Sequence, residues 1–155
     1  MRSPTASTIR VFRETDPAAA TEILKESLEA AQWTEWGVRE LLGWSGVVAL
    51  VSEDGGKVSG FILGRQAGEE AEILNLAVTP AKRGKGQGGA LLKAAIAKFR
   101  ARHVSRLFLE VRESNEGGIA FYQSHGFSKI GQRAGYYHHP NEAAILMEKK
   151  LAGLD

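Results

Sequence analysis

Seven short segments of the chain are rich in aliphatic and aromatic residues, and in most of them apolar and polar positions alternate. Because successive side chains of a strand point to opposite faces of a sheet, this pattern predicts β-strands. Between the second and third segments stands Asp54-Gly55-Gly56, a turn sequence typical of a β-hairpin. The predicted strands cover residues 8–13, 47–52, 58–63, 72–78, 104–111, 127–130 and 143–149.

Between these strands, apolar residues recur at helical spacing. The first predicted helix opens at Thr15-Asp16-Pro17, where a capping side chain precedes a proline suited to the first turn. Its apolar stripe consists of Ala20, Ile23, Leu24, Leu28 and Ala31. A short helix is expected from Thr34, the clearest helix over residues 87–102, and a last one over residues 115–125 that stops at Gly126.

The order of these elements is β-α-α-β-β-β-α-β-α-β-β, which favours a mixed α/β sheet over a regular ladder of βαβ units. With 155 residues and a mass of 16.8 kDa, the chain is expected to form one domain over residues 1–155. A domain of this length buries a full core without disulfides or structural metals.

The composition of the chain excludes several kinds of chemistry. There is no cysteine, which excludes disulfides, thiolate zinc sites, iron–sulfur clusters and covalent cysteine catalysis. Twenty Lys and Arg against eighteen Asp and Glu give a formal net charge of +2, so no direct nucleic-acid partner is expected. No apolar run is long enough for a membrane span, and residues 1–10 lack the apolar core of a signal peptide. We therefore expect a cytoplasmic protein with no membrane partner.

A glycine-rich segment, Lys82-Arg83-Gly84-Lys85-Gly86-Gln87-Gly88-Gly89, stands between a predicted strand and the clearest helix. Glycines let the backbone approach a ligand closely, and the first amides of a helix have no partners within it. Together with the helix dipole and the side chains of Arg83 and Lys85, these amides form a site suited to an anion such as a pyrophosphate.

Several interpretations of this segment compete. A P-loop is excluded, because Gly84-Lys85 is followed by glycine rather than by Ser or Thr. A dinucleotide fingerprint is open, since Gly84, Gly86 and Gly89 fit GxGxxG and Glu110 follows at about the expected distance. The five residues between Val78 and Gly84 disfavour it, because that turn normally follows its strand closely. A turn that contacts only solvent is the simplest alternative.

A third interpretation is a family resemblance. Arg83-x-x-Gly86-x-Gly88 resembles the (Q/R)xxGx(G/A) motif of the GCN5-related N-acetyltransferases. Residues 73–147 are most similar to the bacterial ribosomal-protein alanine N-acetyltransferases of the RimI type. The other stretches that carry the resemblance are Asn75-Leu76-Ala77-Val78, Leu109-Glu110-Val111-Arg112, Ser114-Asn115 and Ala120-Phe121-Tyr122-Gln123-Ser124-His125-Gly126-Phe127.

The resemblance implies a mostly antiparallel sheet of six to seven strands with flanking helices. It also implies acetyl-CoA as cosubstrate, without a metal, with its pyrophosphate at the glycine-rich turn and its pantetheine arm along the preceding strand. The residues expected at the acetyl-CoA site are Leu76, Ala77, Val78, Arg83, Gly84, Lys85, Gly86, Gln87, Gly88, Gly89 and Asn115. From the residues alone, Asn115 is as well explained as a helix cap.

Two residues are candidates for proton transfer. Acetylation of an amine requires a base for the amine and an acid for the departing thiolate. The alternation of its strand places Glu110 on one side with Phe108 and Arg112, where pairing with a neighbouring arginine is an equally ordinary role. Tyr122, beside Phe121, suits a helical core position as well as a proton donor. The resemblance implies that Glu110 is the proton acceptor and Tyr122 the proton donor.

The resemblance also implies the acceptor, the N-terminal alanine α-amine of a small-subunit ribosomal protein. A lysine, a small-molecule amine, or a non-catalytic acetyl-CoA-binding role are the alternatives. Residues 136–142 are expected to form a loop that governs which first residues are accepted. His138 and His139 are interpreted as ordinary loop residues rather than metal ligands. The tryptophans Trp33, Trp36 and Trp44 are expected in the core or in a substrate wall.

Overall fold

A computed structural model describes residues 7–137 and 141–151 of the chain. His138 and His139 lie outside the described residues. The elements, in chain order, are β1 (Thr8–Val11), α1 (Asp16–Lys25), α2 (Glu35–Leu42), β2 (Val47–Asp54), β3 (Lys57–Ala67), β4 (Glu70–Val78), a short 3₁₀ turn (Pro80–Lys82), α3 (Gln87–Ala101), β5 (Arg106–Arg112), α4 (Glu116–Ser124), β6 (Ser128–Tyr137) and β7 (Glu142–Lys150). The predicted order of elements is confirmed.

The seven strands form one sheet in the order β1-β2-β3-β4-β5-β7-β6. All neighbouring pairs are antiparallel except β4 and β5, which are parallel. Each face of the sheet carries its own buried cluster. On one face α3 packs through Leu91, Leu92 and Phe99, and on the other α1 and α2 pack through Leu24 and Val38.

The parallel pairing of β4 with β5 is short, and this decides where the sheet opens. It covers only Glu70–Glu72 against Arg106–Phe108. Just beyond it, the register between β3 and β4 steps from Gly64↔Ile73 to Leu63↔Asn75, which leaves Leu74 as the extra residue of a β-bulge. Because a bulge bends its strand, β4 turns away from β5 and a gap opens between the carboxyl-terminal halves of the two strands.

Local signals set the helix boundaries. The Thr34 hydroxyl accepts the Gly37 N–H at 3.0 Å at the start of α2, and the Asn115 side chain accepts the Gly118 N–H at 2.9 Å at the start of α4. Gly126 follows α4 with φ +91°, a left-handed conformation that favours glycine. These boundaries agree with the sequence prediction.

The first helix differs from its prediction in two respects. It ends at Lys25, so Leu28 is not part of its apolar stripe and is 79% exposed. Thr15 makes no capping bond; the buried Asp16 carboxylate instead accepts the Arg13 N–H at 2.5 Å. Asp16 also pairs with Arg10 at 2.6 Å, so its carboxylate is satisfied by partners on the preceding strand and turn.

One further expectation is wrong. Tyr136 and Tyr137 belong to β6 rather than to a loop, because β6 continues beside β7 as far as Tyr137.

The three tryptophans have different surroundings. Trp33 packs against the α1–α2 cluster, as expected of a core residue. Trp36 and Trp44 are 63% and 51% exposed and are not core residues, and Trp44 lines a groove.

Candidate active site

An open groove of about 740 Å³ runs between the end of β4, the start of α3 and one face of α4. The residues that the sequence singled out as an acetyl-CoA site converge here, with additions from the segment after α1. Its lining includes Ser27, Glu29, Ala30, Leu76, Ala77, Val78, Lys82, Arg83, Gly84, Gly86, Gln87, Gly88, Gly89, Lys93, Asn115, Phe121, Tyr122 and His125. Of the residues expected at the acetyl-CoA site, Lys85 alone does not line it.

The glycine-rich turn owes its shape to two residues with positive φ, Gly84 at +77° and Gly86 at +85°. A Cβ built on either would meet no atom within 4 Å, so the space in front of both residues is open. Gly86 immediately precedes α3, whose first N–H groups have no carbonyl partner within the helix. The turn therefore presents backbone donors and the positive end of a helix dipole to the groove, as the binding of a pyrophosphate requires.

Of the two remaining glycines of the turn, only Gly89 is needed for close packing. A Cβ on Gly88 would come within 3.6 Å of the Phe121 ring and 3.8 Å of Val78, both ordinary contacts. A Cβ on Gly89 would lie 3.1 Å from the imidazole of His125, which is tighter than normal side-chain contacts. Gly89 thus lets α3 approach α4 closely along the groove.

The side chain of Arg83 is engaged within the protein. Its Nε donates to the Val78 carbonyl at 2.9 Å, and its Nη2 donates to the Ser27 hydroxyl at 2.8 Å. Arg83 therefore ties the turn to β4 and to the end of α1, and its charge stands beside the groove. Lys85 is exposed, and Lys93, nearly two turns into α3, supplies a further positive charge at the lining.

Gln87 contributes to the groove through its backbone, because its side chain is buried beneath α3. Its Oε1 accepts a hydrogen bond of 2.6 Å from Ser59 and one of 3.2 Å from Ser52. Its Nε2 donates to Asp54 at 3.4 Å. This buried polar cluster fixes the first turn of α3 against the β2–β3 hairpin.

The end of β4 offers unpaired backbone to the gap. Thr79 donates its N–H to the Ser59 carbonyl at 2.8 Å. Because neighbouring residues of a strand direct their backbone groups to opposite edges, Ala77 also faces β3, whereas Leu76 and Val78 face the gap. The Val78 carbonyl is taken by Arg83, which leaves the N–H groups of Leu76 and Val78 for an extended ligand.

On α4, Asn115 and Tyr122 both line the groove. Asn115 caps the helix through the bond to Gly118, so its capping role is confirmed. The partly buried Tyr122 ring packs edge-on against Phe121 and Phe127, with centroids 5.1 Å and 5.6 Å away. Burial raises the pKa of the Tyr122 hydroxyl above its ordinary value, so the phenol stays protonated at neutral pH.

Glu110 lies on the opposite face of the sheet, in a second groove of about 540 Å³. Its carboxylate, 20% exposed, pairs with the Arg133 guanidinium at 3.2 Å. Glu72 lines the same groove, and partial desolvation followed by the charge of Glu110 raises its pKa, while Arg133 opposes that rise. Trp44 and Arg65, whose guanidinium lies 4.4 Å above the indole, border the groove.

Next to this groove, the end of β6 is held by β5 and β7. The Arg112 guanidinium lies 4.3 Å above the Tyr137 ring and pairs with Glu142 at 2.9 Å. Glu142 also accepts the Ser114 N–H at 3.0 Å, and these hydrogen bonds lower its pKa. Burial and, to a lesser extent, the negative charge of Glu110 raise the pKa of the Tyr137 hydroxyl. Glu142 is therefore engaged within the protein rather than directed to a substrate.

Glu110 and Tyr122 thus lie on opposite faces of the sheet, each in its own groove, and the structure does not bring the two side chains into contact. Sequence reasoning missed Glu72, Arg133 and His125. The proximity of Glu72 and Arg133 to Glu110 had no local signal, because the three residues are brought together by strand order alone. His125 lies four residues after Phe121, so helical spacing places the two on one face of α4, where their ring centroids are 4.7 Å apart.

Within residues 7–137 and 141–151, no group of three His, Asp or Glu side chains is arranged to hold a metal ion. In that same part of the chain, no helix has the length and apolarity needed to cross a membrane.

Comparisons with known proteins agree with this architecture. Residues 16–127 match the model of the acetyltransferase (GNAT) family. The chain is 34% identical over 131 residues to the ribosomal protein bS18-alanine N-acetyltransferase of Escherichia coli strain K12, an alignment that covers 84% of this chain and 87% of the relative.

Solved structures give the same result. The crystal structure of the Escherichia coli ribosomal-protein-S18-alanine N-acetyltransferase superposes with a TM-score of 0.84 at 32% identity, covering 97% of this chain and 98% of the other. Ard1 from Thermoplasma volcanium superposes with a TM-score of 0.86 at 30% identity, covering 96% and 99%.

Proposed function

The chain belongs to the GNAT family of acetyltransferases and is an acetyl-CoA-dependent N-acetyltransferase, and we propose that its acceptor is the N-terminal alanine α-amine of a small-subunit ribosomal protein. The observation that carries this proposal is the carboxylate of Glu110, which lies in a groove beside the β4 bulge at Leu74, where the pairing of β4 with β5 has ended. The name of the 34%-identical relative supports the choice of acceptor. We further propose that residues 1–155 act as one N-acetyltransferase domain, which the single sheet supports.

Binding of the cosubstrate is assigned to the groove of the glycine-rich turn. The N–H groups at the start of α3, with Gly84 and Gly86 in left-handed conformations, are suited to the pyrophosphate. The free N–H groups of Leu76 and Val78 are suited to the pantetheine arm. When bound, acetyl-CoA supplies the acetyl group as a thioester.

Proton transfer is assigned to Glu110 and Tyr122. Glu110 takes a proton from the acceptor amine, whose nitrogen forms the new bond to the acetyl carbonyl carbon. Tyr122 gives a proton to the sulfur as the carbon–sulfur bond breaks. The position of Tyr122 in the lining of the cosubstrate groove supports this role. Direct transfer accords with a chain that has no cysteine to carry an acetyl group.

The preference for an α-amine follows from acid–base chemistry. An α-amine has a pKa of about 7.7–8, so roughly one molecule in ten is neutral at pH 7, whereas lysine at about 10.4 is neutral in fewer than about one in a thousand. A carboxylate is a weak base, and it therefore acts more readily on the amine that deprotonates more easily.

The test uses one peptide that offers both amines. A hexapeptide beginning with alanine and carrying a lysine at its fifth position is incubated with enzyme and acetyl-CoA, and tandem mass spectrometry locates the acetyl group. We expect the wild type to acetylate the alanine nitrogen. We expect Glu110→Gln to acetylate it at no more than about 1% of the wild-type rate. Acetylation of the lysine, or of neither amine, contradicts the proposed acceptor. The same reaction on isolated small-subunit ribosomal proteins then identifies which N-terminus is modified.

A further inference from the structure

The guanidinium of Arg133 occupies one side of the carboxylate of Glu110. Arg133 projects from β6, and Glu110 from β5, with β7 between the two strands. The arginine side chain therefore reaches across β7 to make its 3.2 Å contact. The pair is not local: it exists only because the sheet order brings β6 to that edge.

Through its contact with Glu110, Arg133 places a permanent positive charge beside the groove that, on the proposed function, receives a positively charged amine. The Glu110 carboxylate attracts both cations. Glu72 adds a second carboxylate beside Glu110, and the charge of Arg133 acts on both. Glu70 and Arg65 also line the groove, but Glu70 pairs with Arg106 and the Arg65 guanidinium lies over Trp44.

The surroundings of Arg133 allow it to leave Glu110. Its side chain is 55% exposed, and the ion pair is thus open to water on the arginine side. The pairing of β6 with β7 becomes irregular between Arg133 and Tyr137. The guanidinium also lies 4.7 Å above the ring of the exposed Tyr136. This cation–π contact can hold the guanidinium when another cation occupies the Glu110 carboxylate.

We propose that Arg133 is an internal competitor of the acceptor: it pairs with Glu110 in the acceptor-free enzyme and is displaced by the positively charged amine. Arg133 is then a specificity-determining residue, because an acceptor must bring a cation that competes with a guanidinium. This inference rests on the proposed function, which brings the amine to Glu110. Arg133 takes no part in the transfer of the acetyl group.

The experiment measures binding rather than turnover, by calorimetry of enzyme saturated with coenzyme A. The ligands are an alanine-first hexapeptide without lysine and its N-acetylated form, which differs by the absence of the amine charge. Arg133→Met keeps the aliphatic part of the side chain and removes the charge. We expect it to bind the free peptide roughly 2- to 5-fold more tightly than the wild type, the range expected for an exposed ion pair, and the acetylated peptide unchanged.

Two further variants serve as controls. Arg133→Lys keeps the positive charge and is expected to restore most of the wild-type affinity. Arg65→Met removes an equal charge from the same groove, but that guanidinium lies over Trp44, so we expect a change below about 1.5-fold. Thermal unfolding of each variant verifies that it is folded.

Three results overturn the inference. Weaker or unchanged binding of the free peptide by Arg133→Met means that Arg133 does not compete with the amine. An equal gain for both peptides means that the effect does not depend on amine charge. An equal gain by Arg65→Met means that any charge in the groove suffices. If the wild type binds the peptide but transfers no acetyl group to its N-terminus, the proposed acceptor is wrong while the competition by Arg133 is still measured.

Discussion

The Ser59 hydroxyl donates a hydrogen bond of 2.6 Å to the Oε1 atom of Gln87, and this bond joins the first turn of α3 to the middle of the β-sheet. Gln87 therefore has two separate roles. The side chain of Gln87 belongs to the interior, while its N–H stands at the start of α3 beside the groove.

We expect Gln87→Ala to destabilise the fold and to spare the cosubstrate site. The substitution leaves the Ser59 and Ser52 hydroxyls without their acceptor in a buried position, which costs about 1–3 kcal/mol. Urea unfolding measures this loss. Calorimetry with acetyl-CoA at a temperature where the variant is folded is expected to give a Kd within about 3-fold of wild type. A larger loss of affinity with little loss of stability would indicate that the side chain itself contacts the ligand.

The second prediction concerns Gly86, whose φ of +85° is a conformation that L-residues adopt at a cost of about 1–2 kcal/mol. Gly86→Val is expected to pay this cost, to displace the first amides of α3 and to weaken acetyl-CoA binding by 10-fold or more, about 1.4 kcal/mol. Gly55→Val is the matched control, because Gly55 has φ +63° and open space but lies in the β2–β3 turn, outside the groove's lining. Both variants should lose similar stability, and Gly86→Val alone should lose affinity.

The third prediction concerns the proton-transfer pair. Glu110→Gln and Tyr122→Phe are each expected to lower kcat by roughly 10²- to 10⁴-fold, the usual range for a group that moves a proton in the transition state. Acetyl-CoA binding is expected to persist in both, because neither change removes a backbone donor of the glycine-rich turn. The double variant is expected to be little worse than the poorer single one, since both act on one reaction step.

Controls for this pair are available on the chain. Tyr136→Phe removes a hydroxyl from an exposed tyrosine that does not line the groove of Tyr122. Its loss of kcat is expected to be small. Near-normal activity of both Glu110→Gln and Tyr122→Phe would instead assign the two side chains purely structural roles.

The fourth prediction is a pH dependence of stability at His125. Burial, followed by the charges of Lys93 and Lys149, lowers the pKa of this imidazole below its ordinary value of 6.5. The unfolded chain therefore binds the proton more strongly, so the stability is complete above pH 6.5 and is lost as the pH falls through that value.

Urea unfolding at pH 7.5 and at pH 5.5 tests this linkage. Wild type is expected to lose more stability than His125→Gln over the interval. If His125→Gln shows the same pH dependence as the wild type, the imidazole does not contribute to it.

The sequence by itself determined the order of the elements, the position of the glycine-rich turn and which side chains of a strand share one face of the sheet. Alternation placed Glu110 on the side of Phe108 and Arg112, and the glycines marked the turn ahead of α3, because both signals depend on the geometry of a few consecutive residues. The helix caps Thr34 and Asn115 were predictable for the same reason.

Only the tertiary structure decided which of these groups are free to act. The Arg83 guanidinium is occupied by Ser27, and the Gln87 side chain by Ser59, through hydrogen bonds across 56 and 28 residues of sequence. Arg133 reaches Glu110 because the strand order β5-β7-β6 leaves only β7 between the two residues. The gap beside Leu76 and Val78 exists because β4 bends at Leu74 after its short pairing with β5. Contacts of this kind depend on strand order and on where a sheet opens, which the packing of the whole chain determines rather than the pattern within any one segment.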